Sequence, residues 1–599
     1  MFDRLAKRWD LESVYEGGSG SERLISDLQR AVKMADACMD RAARLEVPRG
    51  PDDLEDIRRT VLELGDAMML TAQLGSFAGC LTAQDDSDER AKERSEQVSS
   101  VWARLGNAVE ALGSIMAEMD RKTWASFLES ADMEEIAFRL DEFRRRSRDR
   151  MDVELETLAN DLATDGYHGW SRMYDAIVGK TRVEYEEDGR TRSLSVGQAY
   201  NMMRHPDREV RTAVFDAWEK AWEERRDLHA QVLNHLAGFR IKLYERRGWT
   251  SILHETLDDN RVDADTLDVM WRVVESNTGP LLRFLARKSE LLGLDGLSWH
   301  DVPAPLPGEE RELSFEQAAS FVVEHLGRFD PVMAEFAERA FRNRWIEAED
   351  RKGKKPGAFC TSLPVLGESR VFMTFDGRMS SVATLAHELG HAYHGWVLSE
   401  KPYLARRYSM SVAETASTFS ENLVVDAALS QAGRKADRVS LLQDKLQRAA
   451  AFFFDLHSRF LFETRFYETR RRRSFVPAQE LGEMMREAQR EAFGDSLERY
   501  HPTFWCSKGH FYATGAPFYN WPYTFGYLFS TGIYARARSR GSDFADSYRA
   551  LLADTGSATA EQLAERHLGT DLTETAFWQE ACDEVGRQVE DFLRESAES

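Results

Sequence analysis

The chain has 599 residues, 42% hydrophobic and 30% charged, a composition typical of a soluble globular protein with several domains. Its net charge of −23 disfavours nucleic acid and anionic membranes as partners, because like charges repel. The N-terminus has no apolar signal region and no long uncharged apolar run follows it, so neither secretion nor membrane insertion is predicted. Five scattered cysteines without a C-x-x-C pair predict no disulfide framework and favour a reducing cytoplasm.

Most of the chain has the pattern of helices, with apolar residues at a period of 3.6 and only 15 prolines. Residues 437–473, for example, are predicted to form one long helix. Two segments break this pattern. Residues 181–194 predict a β-hairpin with Asp188 and Gly189 at its turn. Residues 357–375 form a second extended stretch, and a strand edge there could pair with the backbone of an extended peptide.

The sequence HELGH at residues 387–391 follows that stretch, within a predicted amphipathic helix over residues 381–399. Residues four apart lie on one face of a helix, so His387 and His391 can bind one ion together. Glu388 can point to the open side of that ion. This is the H-E-x-x-H arrangement of zinc peptidases. The alternative is a pair of core histidines that hydrogen-bond to neighbouring carbonyl groups.

A catalytic zinc site needs a third protein ligand and one position left for water or substrate. The extended motif H-E-x-x-H-x-x-G-x-x-H is excluded, because His394 and Val397 occupy its glycine and third histidine positions. The other solution is a glutamate from a following helix. Residues 409–425 predict such a helix, and it carries Glu414 and Glu421 among small and apolar residues.

The two glutamates are seven residues apart and would share one face of that helix. We expect Glu414 to bind the metal and Glu421 to hydrogen-bond a ligand imidazole from behind. Glu400, at the expected end of the preceding helix, is a weaker rival. For each glutamate the alternative is a solvated surface position, which is the usual place of this residue.

The segment from residue 504 to residue 534 is rich in aromatic residues, with 12 among 31. It contains His510 and four tyrosines, Tyr512, Tyr519, Tyr523 and Tyr527. Phenol or imidazole donors can stabilise the negative charge that builds on a carbonyl oxygen during peptide hydrolysis. A packed aromatic core is the alternative. For His510, Tyr519 and Tyr523 the sequence leaves both interpretations open.

Several phrases of the sequence resemble oligoendopeptidase F and its thimet-oligopeptidase relatives. They are WDLESVY near the start, RHPDREVRTAVFDAW, KGKKPGAFC, VFMTFDG, HELGHAYH, SVAETAST, GHFY and PFYNWPYTFGY. The resemblance runs from the N-terminus to the tyrosine-rich segment. HELGH alone is moderately specific, whereas its combination with VAETAST at this spacing is highly specific.

The resemblance implies a mostly α-helical fold in which two helical halves flank a deep substrate channel, with a small β element next to the zinc helix. It divides the chain into an N-terminal helical region, residues 1–195, and a catalytic zinc metallopeptidase domain, residues 196–599. A deep channel would admit flexible oligopeptides and exclude folded proteins.

The resemblance also assigns roles to residues of this sequence. Zinc, one ion per chain, is expected to be bound by His387, His391 and Glu414, with Glu388 as the general base. His510, Tyr519 and Tyr523 are expected to reach the substrate. The stretch from His510 to the tyrosines is longer here than is usual in the family, and Trp521 stands where a tyrosine is common. Tyr512 and Tyr527 therefore stay open as alternative donors.

The expected function is zinc-dependent hydrolysis of internal bonds in short, unstructured peptides in the cytoplasm. One alternative is a metal-dependent carboxypeptidase on a similar helical fold, which would need a cationic group for the terminal carboxylate. Another is a peptide-binding protein without catalysis. The glutamate at position 388 argues against this second alternative, because binding alone needs no general base.

Overall fold

The computed structural model describes residues 2–187, 189–306 and 312–597. The protein is 71% helical with a few small sheets, so the predicted mostly α-helical fold is confirmed. Within these ranges no helix is both long and apolar enough to cross a membrane. All five cysteines are free thiols, and four of them are buried.

The helices of the described ranges are, in chain order, α1 (Glu22–Ala42), α2 (Glu55–Gln84), α3 (Glu89–Glu118), α4 (Arg121–Leu128), α5 (Ala131–Glu134), α6 (Ala137–Arg148), α7 (Val153–Gly166), α8 (His168–Lys180), α9 (Val196–Met202), α10 (Arg208–Glu223), α11 (Arg226–Arg247), α12 (His254–Asn260), α13 (Ala264–Ser276), α14 (Thr278–Leu291), α15 (Phe315–Phe329), α16 (Pro331–Arg342), α17 (Met379–Leu398), α18 (Met410–Ala413), α19 (Thr415–Gln431), α20 (Lys435–Ala450), α21 (Leu456–Arg472), α22 (Ala478–Ala492), α23 (Phe504–Ser507), α24 (Trp521–Arg540), α25 (Ala545–Asp554), α26 (Ala560–Leu563) and α27 (Thr575–Ala597). The strands are β1 (Arg182–Glu187), β2 (Arg190–Ser195), β3 (Ile346–Glu347), β4 (Phe359–Leu363) and β5 (Glu368–Phe372).

The chain forms two compact units, each built from three segments. Unit 1 comprises Met1–Arg150, Glu310–Ser430 and Ile533–Thr570, and unit 2 comprises Met151–Glu309, Gln431–Gly532 and Asp571–Ser599. The helix that carries HELGH belongs to unit 1, and the aromatic segment up to residue 532 belongs to unit 2. The division of the sequence at residue 195 stays a prediction.

The core of unit 1 begins with α1, α2 and α3. Helix α1 starts after Ser21, whose hydroxyl accepts a hydrogen bond from the backbone N–H of Leu24. Its apolar side chains recur every three or four residues and are buried: Leu24, Leu28, Ala31, Ala35, Cys38 and Ala42. The same core reaches Leu363 and Phe372 of the small sheet. This packing ties the sheet to the helical bundle.

The predicted hairpin is present as β1 and β2, which pair antiparallel from Arg182 and Ser195 to Glu187 and Arg190. Asp188, one of the two residues predicted at its turn, lies outside the described residues. Gly189 has a φ of +72°, the left-handed conformation that glycine adopts without strain.

The second sheet lies directly before α17 and has the strand order β3-β5-β4. Strand β5 pairs parallel with β3 on one side and antiparallel with β4 on the other. At Val371 and Phe372, β5 therefore has a neighbour on both sides and no free edge for a peptide. Of the two strands in the 357–375 stretch, only β4 lies at the edge of the sheet.

Two helices predicted as continuous are interrupted. Residues 409–425 form α18 and α19, with Glu414 at the break between them. The segment 437–473 forms α20 and α21, joined by a π-helical turn, Ala451–Asp455. In that turn the carbonyl of Phe452 accepts a hydrogen bond from the Thr524 hydroxyl (3.0 Å). Single π-helical turns of this kind interrupt the regular α-helical hydrogen-bond pattern.

Candidate active site

Helix α17 packs its apolar side into unit 1 and presents its two motif histidines beside that side. Val382, Leu385, Leu389 and Ala392 are buried and Trp396 is partly buried, as an amphipathic helix requires. His387 and His391 are only partly buried, and their ring centroids lie 5.0 Å apart. The helix begins and ends within two residues of the predicted range.

Glu414 reaches both histidines from the break between α18 and α19. Its Oε2 atom lies 3.3 Å from Nε2 of His387 and 3.6 Å from Nε2 of His391. Each of the three residues offers one ligand atom, and these atoms lie within 4.8 Å of one another. Two imidazole nitrogens and one carboxylate oxygen are the types of ligand that catalytic zinc sites use, so this group could hold such an ion.

Glu421 lies behind His387 and orients its ring. Its Oε2 atom is 3.2 Å from Nδ1 of His387. A carboxylate can only accept, so Nδ1 carries a proton, and Nε2, which faces Glu414, is the nitrogen that can bind a metal once it has no proton of its own. Glu414 is held in turn by the hydroxyl of Ser417, which donates to Oε2 (2.7 Å).

Gly390, inside the motif, allows α17 to approach the segment that carries Glu414. A Cβ atom at this position would lie 2.4 Å from the carbonyl oxygen of Ala416 and 2.7 Å from Cα of Ser417. Both are backbone atoms, so no side-chain rotation could relieve the overlap. Sequence reasoning did not assign this glycine a role, although a glycine within an amphipathic helix indicates a close packing contact.

Burial and hydrogen bonds shift the pKa values of the three clustered residues in different directions. Burial lowers the pKa of His391 to about 4, which keeps its imidazole neutral and able to bind a metal. Burial opposes protonation of His387 as well, but its hydrogen bonds to Glu414 and Glu421 raise the pKa to about 10. Burial also opposes ionisation of Glu414, yet the His387 hydrogen bond and the charges of both histidines lower its pKa to about 2.

Glu388 follows the first histidine and is 5% exposed. Burial raises the pKa of its carboxyl to about 7. Its Oε2 atom is buried and has no hydrogen-bond partner among the described residues. A buried carboxylate oxygen without a partner is rare and needs an explanation such as an ion, a water or a catalytic role. The residues present therefore fit a metal with its reactive water.

His394 and Glu400 lie outside this cluster. His394 is fully buried, bonds the hydroxyl of Thr555 (2.7 Å) and stacks on Tyr408 with ring centroids 4.2 Å apart. Glu400 is exposed beyond the end of α17 and is not part of the His387, His391 and Glu414 group.

In unit 2, His510, Tyr519 and Tyr523 form one cluster of rings. The ring centroid of His510 lies 4.8 Å from that of Tyr519 and 6.2 Å from that of Tyr523. All three side chains are partly exposed. The two alternative tyrosines differ, because Tyr512 is 1% exposed and stacked on Tyr174, and Tyr527 is 9% exposed and stacked on Phe452.

Asn520 and Arg459 fix the orientation of His510. Nδ1 of His510 lies 2.7 Å from Oδ1 of Asn520, and Nη1 of Arg459 donates to the same oxygen (3.1 Å). Since an arginine only donates, the amide must present its oxygen to both groups, and Nδ1 of His510 must carry a proton. Burial, helped by the charges of Arg459 and Lys508, lowers the pKa of His510. The neutral ring therefore presents an acceptor at Nε2.

The backbone that places Tyr519 and Asn520 is strained. Phe518, directly before them, has a φ of +52°, which is unusual for a bulky residue. Its N–H donates to the buried carboxylate of Glu463 (3.2 Å). Strained residues held by their surroundings cluster at functional sites. The sequence analysis did not identify Asn520, Arg459 or Glu463. Each is an ordinary polar residue on a helix or in a loop, and no motif distinguishes it.

Comparison with known proteins gives matches over most of the chain. The model of Peptidase family M3 matches residues 201–584, and the model described as Oligopeptidase F matches residues 116–182. Oligopeptidase PepF of Bacillus subtilis is 21% identical over 520 residues, covering 85% of this chain and 76% of that protein. An oligoendopeptidase F homologue of Lactococcus lactis is 20% identical, covering 95% and 94%.

Solved structures share the fold over nearly the full length. A proposed peptidase from Chlamydophila abortus superposes with a TM-score of 0.83 and 17% identity, covering 98% of each chain. The oligoendopeptidase F of Enterococcus faecium gives a TM-score of 0.68 at 17% identity, covering 96% of this chain and 99% of that one. At this identity the likeness shows the fold alone.

Proposed function

This chain belongs to peptidase family M3, a family of metallopeptidases, and from that premise we propose that it is a zinc-dependent endopeptidase. Its substrates are short, unstructured peptides, which it cuts at internal bonds. The names of its relatives, oligopeptidase and oligoendopeptidase, support this substrate class.

One observation carries the proposal. His387, His391 and Glu414 converge within 4.8 Å, and the adjacent Glu388 keeps a buried carboxylate oxygen without a partner. Three protein ligands leave a coordination position open, as a catalytic rather than a structural zinc site requires. A protein that only bound peptides would have no use for a buried carboxylate beside that position.

When bound to these three residues, zinc lowers the pKa of its water and polarises the scissile carbonyl. Glu388 accepts the proton that the attacking water loses and passes it to the nitrogen of the leaving amine. Burial raises the pKa of this carboxyl, which makes it a stronger base. Glu421 and Ser417 keep His387 and Glu414 in their ligand orientations.

Tyr519 or Tyr523 is the favoured donor to the oxyanion. Both phenols are partly exposed, whereas Tyr512 and Tyr527 are buried under other rings. Neutral His510 presents an acceptor at Nε2, so it can donate there only after it gains a second proton. At neutral pH we therefore assign His510 to accepting a hydrogen bond from the substrate and a tyrosine to the oxyanion.

We place this activity in the cytoplasm and assign one zinc ion to each chain. The five free cysteines support a reducing compartment, because none of them is used in a disulfide.

Mass spectrometry of the products from a mixed set of peptides tests the proposal. Peptides of roughly 5–20 residues should be cut at internal bonds, because their extended backbones can pair with a strand edge such as that of β4. A folded protein should stay intact, because its backbone is not free to pair in this way. Chelation should stop the reaction and added zinc should restore it. Release of single C-terminal residues only would instead support the carboxypeptidase alternative.

A further inference from the structure

Two adjoining cavities lie in unit 1 beside the last turns of α17. The larger, with a volume of about 550 Å³, is bounded by α2, the β4–β5 turn and the loop that follows α17. The smaller, of about 330 Å³, lies between α3 and α6. Both are lined by Met68, Trp102, Arg139 and Arg407, so they form one continuous space, here called the arginine cavity.

The lining of the arginine cavity is strongly cationic. Five arginines line it: Arg139, Arg146, Arg150, Arg406 and Arg407. The acidic residues in the lining are Glu110 and Glu368, and each already pairs with an arginine, at 2.8 and 2.9 Å. An excess of positive charge is gathered here in a chain whose net charge is −23.

Two of these guanidinium groups have no acidic partner among the described residues. Arg407 is exposed and forms no hydrogen bond or ion pair there. Arg406 donates only to backbone carbonyls, those of Lys401 (2.8 Å) and Pro364 (3.3 Å). Burial lowers the pKa of Arg139 to about 10 despite its pairing with Glu142, and the charge of Arg407 acts in the same direction. An anion in the cavity would relieve this repulsion.

The cavity lies along the face of α17 that carries the metal ligands. Residues that follow one another at spacings of three or four lie on one face of a helix, as positions 387, 391, 395 and 398 do. The last two of these, Gly395 and Leu398, line the cavity. At 1.5 Å per residue the cavity begins about 6 Å along the helix axis from His391 and extends to about 10 Å at Leu398. An extended peptide covers that distance in about two or three residues.

The remaining walls suit an amino-acid residue better than a bare inorganic anion. Trp102, Tyr403 and Leu398 contribute apolar surface. Tyr408 also lines the cavity and stacks on His394 of α17. Burial raises the pKa of Tyr408, and the charge of Glu414 adds to this shift, so the ring that lines the cavity is also close enough to Glu414 to feel its charge.

We propose that the arginine cavity is a specificity subsite that binds a carboxylate of the peptide substrate. The carboxylate belongs either to an Asp or Glu side chain or to the C-terminus of the peptide. This inference rests on the proposed function, since it names a preference of the same enzyme. Long-range repulsion by the acidic chain would not prevent binding, because charges are screened beyond about 8 Å at physiological ionic strength.

The test uses quenched fluorescent peptides of one neutral parent sequence. Glu replaces Gln at one position at a time, over three positions on each side of the cleaved bond, and each peptide is made with a C-terminal acid or an amide. We expect kcat/KM to rise about five- to tenfold for Glu at one position, mainly through KM, as a partly buried ion pair would give. Dependence on the acid rather than the amide would assign the carboxylate to the C-terminus.

Three variants identify the cavity as the source of this preference. In Arg407→Gln the ratio of kcat/KM for the Glu and Gln peptides should fall towards one, and Arg407→Glu should prefer Lys at that position. Arg328→Gln is the matched control, since Arg328 is an exposed arginine of unit 1 that pairs with Glu324 away from the cavity. It should keep the wild-type ratio.

Two outcomes would overturn the proposal. One is a wild-type enzyme that cuts acidic and neutral peptides equally well at every position and with both C-termini. The other is a preference for Glu that both Arg407 variants retain. If the wild-type enzyme cut no peptide, the proposed function would fail instead. Calorimetric titration of the same peptides would then still decide whether the cavity favours the carboxylate.

Discussion

Glu414, Glu421 and Glu400 differ in what they touch, and this difference predicts their effects on metal binding. Glu414→Ala removes the oxygen that faces both imidazoles, so zinc affinity should be lost. Glu421→Ala removes the acceptor that orients the ring of His387, and we expect a loss of zinc affinity of roughly 10- to 100-fold. Zinc content and competition with a chromogenic chelator measure both effects. Glu400→Ala is the control, and loss of zinc in this variant alone would contradict the ligand assignment.

Tyrosine donors can be separated from packing tyrosines by their kinetics. Tyr519→Phe or Tyr523→Phe should lower kcat by roughly 10²–10³ with little change in KM, because the phenol acts once the oxyanion forms. Tyr527→Phe is the control, since that ring is buried against Phe452. Steady-state kinetics on one quenched fluorescent peptide give the answer. If kcat were unchanged in both variants, neither tyrosine would be the oxyanion donor, and the two rings would serve only to pack the protein.

Asn520 offers a test of how His510 is held. In Asn520→Asp a carboxylate replaces the amide oxygen that accepts the Nδ1 proton, and its negative charge favours the imidazolium. The pKa of His510 should rise from its lowered value. Any limb of the pH profile of kcat/KM that His510 controls should therefore move to higher pH, while Tyr519 and Tyr523 keep their places. A profile identical to that of the wild type would show that Asn520 does not act through His510.

Among the elements, the contact between α17 and α19 is the one on which the metal cluster depends. Gly390→Ala places a methyl group against the backbone of Ala416 and Ser417, so the two segments must separate. We expect zinc affinity and melting temperature to fall together. Overpacking of this kind typically costs about 1–3 kcal/mol.

Gly395→Ala is the matched control on the same helix. A Cβ atom there would lie 2.7 Å from the hydroxyl of Ser362, a side-chain atom that can rotate away. This variant should keep its zinc. If Gly390→Ala bound zinc as tightly as Gly395→Ala, the close approach would not matter for the site.

Local patterns in the sequence predicted some elements well, and tertiary contacts explain the others. Helix α17 and the β1–β2 hairpin follow from periodicity and turn residues that act over short distances. The break in the helix at Glu414 and the central position of β5 in its sheet do not follow from such local patterns. The first depends on how close α17 comes to α19, and the second on β3, a two-residue strand without a pattern of its own.

In the folded molecule, a site can combine residues that lie far apart in the sequence. The motif and its spacing predicted that His387, His391 and Glu414 come together, because one helix and the next segment carry all three. The arginine cavity could not be predicted in this way. Arg139, Arg146 and Arg150 lie more than 250 positions before Arg406 and Arg407, so only the folded chain brings them together.

The variant Glu388→Gln separates peptide hydrolysis from metal binding and peptide binding. Glu388 is not a metal ligand in our assignment, so the variant should keep one zinc per chain, the wild-type melting temperature and its affinity for peptide. Loss of the general base should lower kcat by roughly 10²–10⁴-fold. The measurement is steady-state hydrolysis of one quenched fluorescent peptide by zinc-loaded wild type and variant. A variant that retained wild-type kcat would contradict the account.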